Sequence, residues 1–355
     1  MVTLQKIIHR VTETRWSKCY VGVAVLQCIF VVILQSVICS LNDTEARLLP
    51  TPPSEGLLTG SIPETEIPMM AADRLGRIKW ENICFIGFEI WFVVMAIDAT
   101  VYQNTAEILA LANINIICAV LGALEVVDGN KWLTKLSNTR FSIEPLDLAE
   151  KLEIALSVVI LIFACVMAYL SYQMSRQFGW NIYKKLGAQL SIQKMYRVFQ
   201  FFVLSLKIDV FTQFLVSIFY VIQYAIKQGI QWETGIQIAI TILMLPMFYF
   251  ARTAGSNESY GRMIIFITFE AIVIVHYVLI LLQTMGPYNS WYVWICLVWL
   301  GVVMDISTVV LGCLCMRNFE RGLQPYVQRG AANKNKHELT IQKSQSRLSW
   351  RIDED

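Results

Sequence analysis

The sequence predicts an all-α integral membrane protein, a polytopic helix bundle with about eight transmembrane helices and both termini in the cytosol. Three observations predict this class: 56% of the 355 residues are hydrophobic, only 16% are charged, and the mean hydropathy is +0.52. Soluble domains carry about 45–50% apolar and about 25% charged residues. The composition therefore excludes a secreted disulfide scaffold, a disordered chain and a conventional soluble enzyme.

Eight stretches are long and apolar enough for a transmembrane helix, which needs about 20 mostly apolar residues. The second and third are joined only by a short polar turn at residues 103–105. The sixth is the weakest because it is short and contains Pro246, although membrane helices tolerate proline when neighbouring groups satisfy the freed carbonyl. Seven helices remain if one stretch does not cross. The eight stretches are 19–41, 83–102, 108–127, 154–172, 198–226, 236–251, 263–285 and 291–315.

The distribution of Lys and Arg predicts the orientation of the chain. With eight spans, the N-terminus, the even-numbered loops and the C-terminus lie on one side. The basic residues concentrate in segments on that side, and an excess of Lys and Arg marks the cytoplasmic face. We therefore predict a cytosolic N-terminus at 1–18, a transmembrane bundle at 19–315 and a cytosolic tail at 316–355. The tail is polar, lacks apolar periodicity and is predicted to be disordered.

The longest loop, residues 42–80, falls on the opposite, lumenal side. It is rich in proline, contains several acidic residues and has no sustained apolar period, so it is predicted to be a flexible loop rather than a domain. Asn42 begins an Asn-Asp-Thr glycosylation acceptor, but it abuts the membrane. The apolar run that precedes it is too long for a cleavable signal, so the first span is predicted to remain as an anchor.

Familiar chemical motifs are absent from the sequence. The nine cysteines lie within spans or at their ends, so no disulfide framework is predicted. The three histidines are far apart, which argues against a zinc site. Phosphate loops, dinucleotide fingerprints and nucleophile elbows are also missing. We therefore predict no catalytic residue, no metal site, no cofactor, no nucleic-acid partner and no enzymatic activity.

Ionisable residues inside the predicted spans are the main functional signal. Each costs about 2.5–3.5 kcal/mol at the bilayer centre, so each needs a partner or a wet cavity. Two interpretations stay open: polar contacts that hold helices together, and a path for a solute or protons. An alternative interpretation places Glu89, Asp98 and Glu125 near the interfaces, where a carboxylate costs little. The candidate network comprises Asp98, Lys207, Asp209, Glu270, His276 and Asp305.

Lys207 needs a partner from another helix. Lys207 and Asp209 are two residues apart, so they point to different faces of one helix and cannot pair well. The residues one turn away from Lys207 are apolar. We therefore predict that Lys207 pairs with Asp305 or Glu270.

The basic linker, residues 175–197, contains five basic and no acidic residues. Aromatic residues alternate with the cations, a pattern typical of an interfacial helix that contacts anionic lipids. The tendency of cytosolic loops to be basic also explains the charge, so both interpretations remain open. The candidate lipid-facing residues are Trp180, Tyr183, Lys184, Lys185, Lys194 and Arg197.

Several short motifs support a family resemblance. They are Phe178-Gly179-Trp180, Ile182-Tyr183-Lys184, Gly187-Ala188, Met195-Tyr196-Arg197, Leu206-Lys207-Ile208-Asp209 and, entering the tail, Asn318-Phe319-Glu320-Arg321-Gly322-Leu323. The chain thereby resembles an uncharacterised fungal family of multi-pass Golgi apparatus membrane proteins. The resemblance implies an address in the Golgi or a neighbouring endomembrane, and it supplies no activity.

Two functions follow as hypotheses. The first is a non-enzymatic role in membrane organisation or trafficking, with the lipid bilayer and cytosolic trafficking proteins as partners. The alternative is a secondary transporter or proton-coupled carrier that uses Lys207, Asp209, Glu270 and Asp305. Against transport, the sequence shows no internal repeat and no matched pair of Gly- or Pro-broken helices. A carrier should lose activity without losing abundance when Asp209 or Asp305 is neutralised.

Overall fold

The computed structural model describes residues 4–49, 63–137, 144–186, 190–222, 232–284 and 292–327, and within these ranges all regular elements are helices. Eight of the helices are long and apolar enough to cross a membrane, which confirms the predicted all-α membrane helix bundle. The cytosolic orientation of both termini stays a prediction. The helices are α1 (Leu4–Thr12), α2 (Arg15–Leu48), α3 (Pro63–Tyr102), α4 (Thr105–Ser137), α5 (Glu144–Leu186), α6 (Leu190–Tyr220), α7 (Trp232–Ser256), α8 (Tyr260–Thr284), α9 (Tyr292–Arg317) and α10 (Gln324–Val327).

The eight predicted spans correspond one to one with helices α2 to α9. The sixth span is a full helix, because α7 continues through Pro246 without a break. Residues 223–226, 285 and 291, at the predicted ends of three spans, lie outside the described residues.

The polar turn predicted between α3 and α4 is present. Gln103 has a positive φ of 53°, a backbone conformation in which the chain reverses direction abruptly. The side-chain oxygen of Asn104 then accepts a hydrogen bond from the backbone N–H of Ala106 at 3.2 Å. Asn104 thus caps the first turn of α4, a role that asparagine favours.

The prediction of a flexible loop at 42–80 is wrong for most of its length. Helix α2 continues to Leu48 and α3 begins at Pro63, a residue type tolerated at the first helical position. On α3, Ala71, Leu75 and Ile78 recur at helical spacing and pack in a cluster that also contains Leu49, Leu136 and Leu146. The many polar residues between them obscured this apolar stripe. Asn42 is only 1% exposed, so its glycosylation acceptor is buried in the folded protein.

The chain divides into a first unit, Met1–Asn181, and a second unit, Ile182–Asp355. In the first unit, Val31 and Ile38 of α2 pack with Ala119 of α4 and with Leu156 and Ile160 of α5. Such side-chain packing is the main force that associates helices within a bilayer.

The second unit has its own apolar core, formed by α6 to α9. It includes Phe202 and Phe266, whose rings meet edge to face with centroids 6.1 Å apart. Helices α8 and α9 approach closely at Gly301, where an added Cβ would lie 2.6 Å from the ring atom Cε2 of Tyr277. Only glycine fits this contact without movement of the ring.

The prediction of a disordered tail at 316–355 is wrong for its first part. After α9 ends at Arg317, a turn with positive φ at Glu320 (61°) and Gly322 (85°) leads into α10. Phe319 contacts Tyr260 with ring centroids 5.1 Å apart, and Leu323 packs against Ile192 and Met195. Two apolar side chains are enough to hold this short segment, although its average composition is polar. Residues 328–355 lie outside the described residues.

Candidate intramembrane carboxylate site

Three acidic residues from three helices meet inside the second unit. They are Asp209 on α6, Glu270 on α8 and Asp305 on α9. One carboxylate oxygen of each lies within 4.8 Å of the other two. Their exposed fractions are 2%, 3% and 0%, so all three carboxylates are removed from the surface. We call these three residues the carboxylate triad.

Gln213 connects the members of the carboxylate triad. It lies one helical turn after Asp209 on α6 and is 2% exposed. Its side-chain Nε2 donates to Asp305 Oδ1 at 3.3 Å and lies 3.5 Å from Glu270 Oε2. Gln213 is not among the residues predicted from the sequence, although residues four apart share a helix face and an amide one turn from an intramembrane acid is a detectable signal.

Four buried oxygens at or near the triad have no hydrogen-bond partner among the described residues. They are Asp209 Oδ1, Asp305 Oδ2, Gln213 Oε1 and the hydroxyl of Tyr277. Buried polar atoms are normally paired, so each such exception calls for a physical cause.

Tyr277 is positioned beside the triad by two helices. It lies two turns after Glu270 on α8 and is therefore on the same face of that helix. Its ring packs against Gly301, which lies one turn before Asp305 on α9. The residue is fully buried, and its hydroxyl is close enough to interact electrostatically with all three carboxylates.

Like-charge repulsion restricts the state of the triad. Two unit charges 4 Å apart interact by about 4 kcal/mol at an effective dielectric constant of about 20. Three ionised carboxylates at this separation therefore need compensation from protons, a cation or water.

His276 belongs to a hydrogen-bonded chain that leads to the triad. Its Nε2 lies 2.7 Å from Gln237 Oε1, and Gln237 Nε2 donates to Ser217 Oγ at 2.7 Å. The Ser217 hydroxyl in turn donates to the main-chain carbonyl of Gln213 at 2.8 Å. Thr241 also donates to Ser217 at 2.6 Å. Ser217, Gln237, Thr241 and His276 thus form a hydrogen-bonded polar seam between helices α6, α7 and α8, next to the triad.

The other members of the predicted network lie elsewhere or stay untested. Lys207 is half-buried on α6, and its pairing with Asp305 or Glu270 stays a prediction. Asp98 is half-buried on α3 in the first unit.

Residues 175–186 of the basic linker belong to α5 and residues 190–197 belong to α6, while residues 187–189 lie outside the described residues. Lys194 and Arg197 are exposed on α6. The side chains of Trp180, Tyr183, Lys184 and Lys185 lie outside the described residues, so their contact with anionic lipid stays a prediction.

The first unit contains a different buried site. Glu89, interpreted from the sequence as an interfacial carboxylate, is 2% exposed and accepts hydrogen bonds from Gln27 Nε2 at 3.1 and 3.2 Å. Gln27 and Asn115 also exchange hydrogen bonds of 3.0 and 2.9 Å between their amide groups. Glu89 is therefore buried beside polar side chains of α2 and α4, and its position relative to the membrane interface stays a prediction.

Comparison with known proteins identifies a relative that is similar to this chain in sequence. The chain is similar to a UPF0658 Golgi apparatus membrane protein of Schizosaccharomyces pombe, with 23% identity over 274 residues. The alignment covers 67% of this chain and 75% of the relative. No family model and no solved structure matches the chain significantly. The relative confirms the predicted resemblance and, with the eight apolar helices, the predicted address in the Golgi apparatus membrane.

Proposed function

We propose that this multi-pass Golgi membrane protein is a secondary carrier whose carboxylate triad takes up a cation or protons. The observation that carries the proposal is the convergence of Asp209, Glu270 and Asp305 within 4.8 Å in a buried site. Ionisable residues inside a membrane are costly, and they commonly mark ion pathways and proton relays.

The pattern of hydrogen bonds supports uptake over a purely structural role. A polar contact that holds helices together pairs an acid with a donor, as the amide nitrogen of Gln27 does for Glu89. The triad instead concentrates negative charge and leaves oxygens open. An arrangement of this kind becomes stable when a positively charged species enters it.

The seam of α6, α7 and α8 supplies a route for exchange. Gln237, Ser217 and His276 are buried polar groups in hydrogen-bond contact, and they adjoin the main chain of Gln213. The two ring nitrogens of an imidazole can donate and accept hydrogen bonds, which suits His276 to proton movement along this seam.

Flux through reconstituted protein tests the proposal. The full chain is placed in liposomes that enclose a pH-sensitive dye or a divalent-ion dye, and a gradient of protons or Mn²⁺ is imposed. We expect the native chain to dissipate at least one gradient and Asp209→Asn to lose most of that rate. Glu89→Gln is the matched control, because it neutralises a buried carboxylate in the first unit and should retain flux per folded protein.

Two results would contradict the carrier. One is a rate no higher than that of empty liposomes for both gradients. The other is equal flux from the native chain and Asp209→Asn, since the triad would then have no part in the movement.

A second candidate is a non-enzymatic role in Golgi organisation or trafficking. The segment after α9 supports it, because Glu258 Oε2 accepts a hydrogen bond from the backbone N–H of Glu320 at 2.8 Å and Leu323 packs on α6. This anchored turn would present residues 328–355 to partners on the predicted cytosolic side.

Removal of residues 328–355 tests this second role. We expect the shortened chain to keep its abundance and to lose colocalisation with a resident Golgi marker. A shortened chain that stays in the Golgi and supports normal Golgi morphology would argue against the role.

A further inference from the structure

We propose that the carboxylate triad binds one hard divalent cation of the Ca²⁺ or Mn²⁺ class, with Gln213 and Tyr277 completing the site. The inference rests on the proposed function for its location and goes further by naming the ion. It also excludes a site that works by protons alone.

The donor atoms favour hard divalent ions. The three carboxylates, the amide oxygen of Gln213 and the hydroxyl of Tyr277 are all oxygens. Oxygen ligands suit Mg²⁺, Ca²⁺ and Mn²⁺, whereas thiolate and imidazole ligands favour zinc and copper. Mg²⁺ normally keeps several of its waters, which a buried site of protein oxygens does not favour.

The spacing of the oxygens fits one bound ion. Ligands of Ca²⁺ lie about 2.3–2.6 Å from the ion, so two ligands on opposite sides are separated by up to about 5 Å. The triad oxygens lie within 4.8 Å of one another, a spread that one ion can bridge.

Tyr277 is an observation independent of the acidic cluster. Its hydroxyl is completely buried and has no partner among the described residues. Gly301 allows the ring to lie against α9 one turn from Asp305, so the packing of two helices directs this hydroxyl toward the triad. A bound cation would supply the partner that this hydroxyl and Gln213 Oε1 lack.

Charge balance is consistent with a divalent ion. Two positive charges compensate two of the three carboxylates, and the third can keep a proton. A monovalent ion compensates only one carboxylate, so the other two would need protons or other partners.

Metal binding by the purified full chain tests the inference. The protein in detergent is treated with EDTA, exchanged into metal-free buffer at neutral pH and titrated with Mn²⁺, with free Mn²⁺ measured by electron paramagnetic resonance. We expect one Mn²⁺ per chain, displaced by Ca²⁺, and a rise in the unfolding temperature. Asp305→Asn should weaken binding at least tenfold, and Glu89→Gln should bind like the native chain.

Tyr277→Phe provides a second variant that preserves the packing against Gly301. It removes one oxygen only, so we expect binding several-fold weaker in a chain that elutes as the native protein does. The inference is overturned if the native chain binds no Mn²⁺ stoichiometrically, or if Asp305→Asn and Tyr277→Phe both bind as the native chain does.

The two proposals fail in different ways. Proton flux that depends on Asp209 without Mn²⁺ binding would leave the carrier in place and overturn the metal site. Stoichiometric Mn²⁺ binding that depends on Asp305, without any flux, would support the metal site and overturn the carrier.

Discussion

Two buried acidic sites, Glu89 in the first unit and the carboxylate triad in the second, have different surroundings. Glu89 accepts hydrogen bonds from the amide nitrogen of Gln27, and nearby in the first unit Glu81 forms a salt bridge with Arg74 at 3.0 Å in which both side chains are buried. In the second unit, three carboxylates lie within 4.8 Å of one another, and the amide nitrogen of Gln213 contacts two of them. Burial alone is therefore a weak guide to the role of an acid, and its partners must be considered as well.

We predict from this comparison that the stability of the first unit depends on its buried salt bridge between Arg74 and Glu81. Replacing Arg74 with Met removes a buried cation that lies 3.0 Å from the carboxylate of Glu81 and should cost about 3–5 kcal/mol of unfolding free energy. Chemical unfolding in mixed micelles measures the loss. Lys151→Met is the control, because its pair with Asp147 is exposed and is worth about 1 kcal/mol or less. Similar losses in both variants would show that the buried salt bridge contributes no more to the unfolding free energy than the exposed one.

The stability of the second unit should depend on the close contact between α8 and α9 beside the triad. Gly301→Ala places a Cβ 2.6 Å from the ring of Tyr277, so we expect a loss of about 1–3 kcal/mol from overpacking. The control is Gly261→Ala on α8, where an added Cβ meets no atom within 4 Å. If thermal unfolding of both variants matches that of the native chain, the contact is looser than the structure indicates.

Neutralising one acid in each unit should change stability with opposite sign in metal-free buffer. Glu89→Gln brings two amide nitrogens together and should lower the unfolding free energy by about 1–3 kcal/mol. Asp305→Asn removes like-charge repulsion and should raise it by about 1 kcal/mol. Unfolding of both variants in EDTA at pH 7 measures the difference. Destabilisation by Asp305→Asn under these conditions would contradict the distinction between the units.

The smallest effect is expected at the hydroxyl pair on α6 and α9. Ser205 and Thr308 are buried and their hydroxyl oxygens lie 2.6 Å apart. Hydrogen bonds between membrane helices average about 0.6 kcal/mol, so Ser205→Ala should cost about that amount. Ser307→Ala should cost less, since the Ser307 hydroxyl bonds only a carbonyl of its own helix. A loss above about 2 kcal/mol for Ser205→Ala would assign this pair a larger role than general helix contact.

The spans were predictable because hydropathy is a local property. A stretch of about 20 apolar residues has few alternatives to a membrane helix, since its backbone must satisfy its own hydrogen bonds in lipid. The turn at Gln103 was predictable for the same reason, because polar residues interrupt two apolar runs. The helical parts of 42–80 were missed because Ala71, Leu75 and Ile78 form a stripe too narrow to dominate a polar window.

The amino-acid sequence by itself determined the membrane class, the eight helices and the presence of Asp209, Glu270 and Asp305 inside them. Only the tertiary structure decided that these acids share one site. Glu270 and Asp305 are far from Asp209 along the chain, and their meeting depends on the rotation and depth of α6, α8 and α9. Side-chain packing such as that of Tyr277 on Gly301 determines the rotation and depth of these helices. A local sequence pattern does not contain that information.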